Sequence, residues 1–145
     1  MFLADTNVIS ELRKGNRANP GGVAKFKQAS TEIFLPVHVI GKLRFGIERL
    51  KNRGDLPQAQ RLQMWFDSIL ENYTLRILAF DLECAKRWGF LMGANDRHIV
   101  DRQIAAIALV YDLTVVTRNI SRFQDTGARL FNPFLADPPS TQQTI

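Results

Sequence analysis

The sequence predicts an α/β fold in which a parallel sheet is covered by helices on both faces, and three observations carry that expectation. Short apolar or β-branched runs alternate with helical segments along the chain. The length of 145 residues suits one domain, and no internal repeat or linker divides it. A composition of 46% hydrophobic and 23% charged residues is that of an ordinary globular chain and excludes wholesale disorder.

The elements follow in order. Phe2 to Ala4 is a first apolar strand, ended by Asp5-Thr6-Asn7, which are strong helix caps. Val8 to Lys14 reads as a helix stopped by Gly15-Asn16, and Asn19-Pro20-Gly21-Gly22 is turn chemistry. Val23 to Ala29 suits a short helix, and Glu32 to Leu35 a buried strand closed by Pro36. From Val37, Ile40, Leu43, Ile47 and Leu50 recur at helical spacing until Gly54-Asp55 breaks the pattern. Pro57 fits the first turn of a helix to about Tyr73, with Leu62, Trp65, Phe66, Ile69 and Leu70 as its apolar stripe. Leu75 to Phe80 reads as a strand, and Asp81 caps a helix through Met92, followed by a loop at Gly93 to Asp96. Ile99 to Tyr111 is helical, with Ile104, Ala105, Ala108 and Leu109 on its apolar face. Leu113 to Thr117 is a β-branched strand, Arg118-Asn119 leads into a short turn or helix, and Ala128 to Phe131 is a last strand. The domain is expected over 1–135, with 136–145 a tail too poor in apolar residues to order itself.

Several function classes fall away. The single cysteine, Cys84, permits no internal disulfide and no multi-cysteine zinc site, and it reads as a small packing residue. Two histidines, His38 and His98, make a poor basis for a His-rich metal site and read as surface or edge residues. No apolar run approaches the roughly 18 residues that span a bilayer, and Asp5 falls where a signal peptide would carry its apolar core. A cytoplasmic protein without membrane contact is the expectation. The net charge of +5 favours an anionic partner such as nucleic acid.

In an open α/β sheet, sites form beyond the carboxyl ends of the strands. Asp5 ends the first strand there, and Thr117, Arg118 and Asn119 end the fourth. Asp101 precedes Ile104 by three residues, so its carboxylate faces inward near the sheet edge. Two inward carboxylates from distant parts of the chain need a positive partner, and Mg²⁺ or Mn²⁺ is one answer. The plainer alternatives stay open: Asp5 as a helix cap, and Asp101 as an acid favoured at the positive end of its helix. The basic run Lys42, Arg44, Arg49, Lys51 and Arg53 is either a solvated face or a phosphate-binding one, with Glu48 its only acid. The aromatic residues read as core rather than as a base-stacking platform. A receiver-type phospho-acceptor shares the fold class but wants a lysine at a late strand end, and none follows Leu113–Thr117.

Taken together, these segments resemble a known family. Phe2-Leu3-Ala4-Asp5-Thr6-Asn7-Val8-Ile9-Ser10-Glu11-Leu12 is similar to the start of PIN-domain proteins of the VapC toxin type. The likeness continues through Ile40-Gly41-Lys42-Leu43-Arg44-Phe45-Gly46-Ile47, Ile99-Val100-Asp101 with Ile104-Ala105-Ala106, Thr114 to Asn119, and Gly127 to Pro133. The order and spacing of these pieces cover nearly the whole chain. The resemblance implies a three-layer α/β/α domain with a central parallel sheet. It implies a Mg²⁺-dependent endoribonuclease, with Mn²⁺ as a substitute, forming the toxin half of a type II toxin–antitoxin pair. It also implies RNA as substrate, an inhibiting antitoxin, operator DNA reached through that antitoxin, and a homodimer or toxin–antitoxin hetero-oligomer. Asp5 and Asp101 match the family's first and third acids as metal ligands. Asn119 and Thr117 match polar residues beside the cluster, and Asn7 matches the supporting amide. The basic face of Arg44, Arg49, Lys51 and Arg53 is expected to hold RNA phosphates.

Two positions depart from the pattern. Lys42 stands where the family places a glutamate that takes part in catalysis, and Arg122 stands where it usually places an aspartate. Four implied carboxylates become two acids and two bases. Two exchanges of acid for base account for four of the five net positive charges. Three accounts of Lys42 fit: a substitution that disarms a toxin, a degenerate member, or one-metal activity with Lys42 on the scissile phosphate. A catalytically inactive module that binds antitoxin and contributes to operon repression is the alternative function.

Overall fold

The computed structural model describes residues 1–14, 22–23, 26–27 and 32–134. Within them the chain runs β1 (Phe2–Ala4), α1 (Thr6–Leu12), β2 (Ile33–Pro36), α2 (Val37–Asn52), α3 (Leu56–Asn72), β3 (Ile77–Leu78), α4 (Leu82–Ala94), α5 (Ile99–Tyr111), β4 (Thr114–Val116), a 3₁₀ turn (Ile120–Phe123) and β5 (Leu130–Phe131). The five strands form one sheet in the order β3-β2-β1-β4-β5. Every pairing is parallel, with Phe2 opposite both Ile33 and Thr114. The helix expected over Val23–Ala29 lies largely outside the described residues, and so does the tail from 136 to 145.

Strand side chains alternate between the two faces, and the core divides accordingly. Ala4, Ile33, Leu35, Val116 and Phe131 pack with residues of α1, α2 and α3. Leu3, Val115 and Leu130 pack with residues of α4 and α5 on the opposite face. The result is the three-layer α/β/α arrangement. α2 buries Val39, Leu43, Ile47 and Leu50, so Val39 takes the place expected for Ile40, which is only half-buried. α5 is buried more fully than its stripe predicts, because Ala106 and Ile107 join Ile104, Ala105 and Ala108. Cys84 is fully buried in the second core.

Some boundaries differ from the sequence expectation for clear reasons. α1 starts at Thr6, because the Asp5 carboxylate accepts the Thr6 N–H and caps the helix there. β3 is shorter than Leu75–Phe80, because this edge strand has only β2 to pair with. Leu75 is 92% exposed, and Phe80 leaves the sheet to meet Trp88 edge-on. α4 runs on through Gly93 and Ala94, and Asn95 caps it by donating its N–H to the Leu91 carbonyl. The reading of the aromatic residues as core is corrected at Phe45 and Phe90, which are 62% and 71% exposed. Among the described residues no helix is long and apolar enough to cross a membrane.

The burial contrast sets a stability expectation. Ile104 is fully buried between α5 and the sheet, so Ile104→Ala should lower the unfolding free energy by about 2–5 kcal/mol. Phe90→Ala, on the exposed side of α4, should change it by less than about 0.5 kcal/mol. Urea titration of both variants checks the pair.

Candidate active site

The carboxyl ends of β1 and β4 lie side by side, since Ala4 is registered with Val116 and the Asp5 N–H donates to the Val116 carbonyl at 2.9 Å. That pairing brings Asp5, Asn7 and Thr117 together across more than a hundred residues of sequence. The Thr117 hydroxyl is fully buried and acts as a hub. It donates to Asp5 Oδ2 at 3.1 Å, and accepts from Asn7 Nδ2 at 3.3 Å and from the Asn119 N–H at 3.0 Å. Asn7 also donates to Asp5 Oδ2 at 3.4 Å, and its carbonyl oxygen accepts the Arg118 N–H at 3.1 Å. One amide thus holds the first acid and the segment leaving β4. Asn119 joins this network through its backbone, while its side chain is exposed.

The structure shows Asp5 as the helix cap and adds a cationic partner. Oδ1 caps α1 by accepting the Thr6 N–H at 2.8 Å, while the same oxygen faces Lys42 Nζ at 3.8 Å. Asp101 lies in the first turn of α5, 8% exposed, with Arg122 Nη1 at 3.7 Å from Oδ2. Burial, then the charge of Asp5, pushes the Asp101 carboxyl above its ordinary range, while Lys42, Arg122 and His98 pull the other way. All five groups therefore act within one electrostatic neighbourhood. Each base at a departing position faces one of the two acids. At an effective dielectric near 20, a pair about 4 Å apart attracts by about 4 kcal/mol. Solvent around Lys42, 42% exposed, cuts this toward the ~1 kcal/mol of exposed pairs.

Hard carboxylate oxygens suit a single Mg²⁺ whose remaining positions are filled by water. The donor chemistry of Asp5 and Asp101 fits one such ion. It does not fit two, because among the described residues no three His, Cys, Asp or Glu side chains converge. The two acids and their two cationic partners sum to zero formal charge, so the pocket lacks the negative potential that concentrates a divalent cation.

The structure divides the expected RNA face. At 100° per residue, Lys42, Arg49 and Arg53 fall within about 40° of arc on α2, while Arg44 and Lys51 lie roughly 160–180° away from Lys42. Arg44 and Lys51 both pair with Glu48, at 3.0 and 3.6 Å, and Arg44 also donates to Gln63 on α3. The face of Arg44, Arg49, Lys51 and Arg53 is therefore corrected to two flanks, of which only the Arg49–Arg53 flank is continuous with Lys42.

Three residues near the site escape the sequence reading. His38, one helical turn before Lys42, is half-buried rather than a surface residue. Its Nε2 bonds Gln103 Oε1 at 2.8 Å, and it meets Phe80 edge-on. Burial holds its imidazole below the ordinary range despite that bond. The spacing of four from Lys42, and of two from Asp101 to Gln103, was the available signal. Arg102 is almost wholly buried, and its guanidinium donates to the Arg97 carbonyl at 3.0 Å and the Leu91 carbonyl at 3.4 Å. It also donates to Asp125 Oδ1 at 2.7 Å, tying the end of α4 to the loop beyond the 3₁₀ turn that carries Arg122. No sequence pattern marks it, because arginine next to an acid on a helix usually reads as solvated.

Two measurements follow from this geometry. Thr117→Val removes a buried hydroxyl with three partners, so the unfolding free energy should fall by about 1–3 kcal/mol in urea. For Asp101 the folded chain holds the proton more tightly than the unfolded chain, so stability declines as pH rises and the carboxyl ionises. Asp101→Asn should therefore raise the urea midpoint at neutral pH. The gain should vanish below the ordinary carboxylate range, where Asp101 is protonated in both states.

Comparison with known proteins places the chain in one family. Residues 2–128 match the PIN domain. The chain is 32% identical to Toxin FitB of Neisseria gonorrhoeae over 141 residues, covering 92% of this chain and 99% of the relative. It is 30% identical to VapC ribonuclease Y4jK of Sinorhizobium fredii over 144 residues, covering 92% and 98%. The solved structure of FitAB bound to an IR36 DNA fragment superimposes with a TM-score of 0.75 at 28% identity, covering 93% of this chain and 96% of that one. With the family matched across most of its length and Asp5 and Asp101 gathered at the carboxyl edge of the sheet, this chain belongs to the PIN domain family.

Proposed function

We propose that this chain is the toxin component of a type II toxin–antitoxin pair, an endoribonuclease that hydrolyses RNA phosphodiester bonds at the Asp5–Asp101 pair. The observation that carries the reading is Asp5 held at the sheet edge by Asn7 and Thr117, near enough to Asp101 for its charge to raise that carboxyl's proton affinity. Its relatives' names, a VapC ribonuclease and a toxin, support the same class. Asp5 and Asp101 would hold one Mg²⁺, or Mn²⁺ in its place. When bound, the ion supplies an activated water and neutralises charge on the phosphoryl oxygens. Asn7 and Thr117 fix the rotamer of Asp5, so one carboxylate oxygen stays committed to the network while Oδ1 faces the pocket. Lys42, 3.8 Å from Asp5, lies where its ammonium can meet a phosphate oxygen. Asn119 follows the hub on the exposed side, and its amide would donate to the same ligand. A cytoplasmic location, an antitoxin partner, operator DNA reached through it, and a homodimer or toxin–antitoxin hetero-oligomer belong to this reading. The DNA-bound FitAB structure supports the operator component.

A second reading has its own observation. Lys42 and Arg122 each face one of the acids, so the chain neutralises its own carboxylates and competes with the ion. A PIN-fold module that binds antitoxin and contributes to operon repression without cutting RNA would retain that arrangement. Lys42→Glu combined with Arg122→Asp separates the two. The double variant should bind Mg²⁺ more tightly by calorimetry and cleave RNA in a manner abolished by EDTA. A double variant that is folded, binds the ion and leaves RNA intact would sink the ribonuclease reading.

A further inference from the structure

A cavity of about 270 Å³ lies beside Arg122, between the loop that joins α4 to α5 and the 3₁₀ turn. Its walls include Arg97, His98, Arg102, Arg122 and Asp125. Three arginines thus stand against one aspartate, and both oxygens of that aspartate are taken, by Arg102 at 2.7 Å and by the Asn95 amide at 3.3 Å. Arg102 is only 2% exposed, so it is a fixed part of the wall. Three of the five N–H groups of its guanidinium are used, on the Arg97 and Leu91 carbonyls and on Asp125, and the other two meet no protein acceptor among the described residues. Buried charged donors without an acceptor are costly. Arg97 is exposed and has no acidic partner among the described residues. Arg122, 55% exposed, touches Asp101 only at 3.7 Å. α5 begins at the same cavity, and its cap residue His98 makes no side-chain bond, so the positive end of the helix adds to the excess.

We propose that this cavity is an effector site for a small free oxyanion of the inorganic phosphate class. Arg97 holds it from the loop and Arg122 from the turn, while the two spare N–H groups of Arg102 meet it from the wall. Guanidinium groups bind such oxygens through paired hydrogen bonds. Arginines gathered on one cavity suit a compact ligand with about −1.5 to −2 on a single phosphorus. A phosphodiester strand instead spreads single charges along a line. Occupation changes the surroundings of Asp101. The contact of Asp101 with Arg122 is longer than a hydrogen bond and half exposed, so it is readily exchanged. An oxyanion in the cavity gives Arg122 a stronger partner and leaves Asp101 with one cation fewer. The level of the anion thereby sets how far the carboxylate pair is neutralised, whether or not that pair acts on RNA.

The test is calorimetric titration of the full chain with sodium phosphate, free of divalent ions and at constant ionic strength, repeated with sulfate and with dimethyl phosphate. Phosphate and sulfate should bind saturably, one per chain. Dimethyl phosphate, a diester with a single charge, should bind at least about tenfold more weakly. Arg97→Ala and Arg122→Ala each remove a charged donor and should weaken phosphate by about 10- to 150-fold. Arg87→Ala removes a guanidinium that lies over Phe90 and away from the cavity, and should stay within about twofold of the parent. Asp101→Asn removes the competitor for Arg122 and should tighten phosphate by up to about fivefold. No saturable binding by the parent, equal affinity for dimethyl phosphate, or the same loss in Arg87→Ala as in the other two arginine variants overturns the proposal. Phosphate binding in Asp101→Asn no tighter than in the parent overturns the effector role. The ribonuclease reading is tested separately through Mg²⁺ and RNA, so none of these outcomes decides it.

Discussion

Asp5 is 4% exposed at the end of β1, where an uncompensated carboxylate would carry a heavy desolvation cost. Its surroundings answer that cost group by group. The Thr6 N–H binds one oxygen, Asn7 and the Thr117 hydroxyl bind the other, and Lys42 supplies a countercharge. The rest of the carboxyl edge depends on this arrangement. The same bonds start α1, register the segment beyond β4 through Asn7 and Asn119, and leave Oδ1 as the oxygen facing the pocket. One buried charge therefore fixes a helix start, a strand end and a site.

The second acid is compensated less completely. Asp101 has Arg122 at 3.7 Å, and burial together with the charge of Asp5 still raises its proton affinity. The Asp5 charge that raises the proton affinity of Asp101 would attract a cation for the same reason. In this chain two side-chain cations already stand there. Lys42 and Arg122 reach in from exposed positions on flexible stems, so they screen the pair without locking it. In such an arrangement the side-chain cations occupy the position a divalent ion would compete for. The electroneutral cluster and the PIN fold around it are thus compatible, because the buried network of Asp5, Asn7 and Thr117 joins β1 to β4 through hydrogen bonds.

α2 links this cluster to the surface. Its inner side packs on the sheet through Val39, Leu43 and Ile47. Its two outer flanks differ in chemistry: one is internally neutralised around Glu48, and the other runs open and basic from Lys42 past Phe45. Net charge by itself does not distinguish these flanks. The chain's +5 divides between bases that quench carboxylates, bases paired with Glu48 and bases left facing solvent. The last group carries the case for an anionic ligand.

The sequence by itself determined the layer order and nearly every element. Alternating strand runs and 3.6-residue stripes report burial locally, residue by residue, as at Ile40–Leu50 and Ile99–Tyr111. Resemblance to the PIN-domain family also marked Asp5, Asp101, Lys42 and Arg122 as positions that belong together. Tertiary structure decided what those positions do to one another. Parallel pairing of Ala4 with Val116 makes neighbours of Asp5 and Thr117. The packing of α2 and the 3₁₀ turn sets each base beside its acid. Strand ends, the buried Arg102 clamp, the half-buried His38 and the exposed ring of Phe45 were equally hidden. Each depends on which partner arrives from a distant segment, and a local pattern carries no record of that distance.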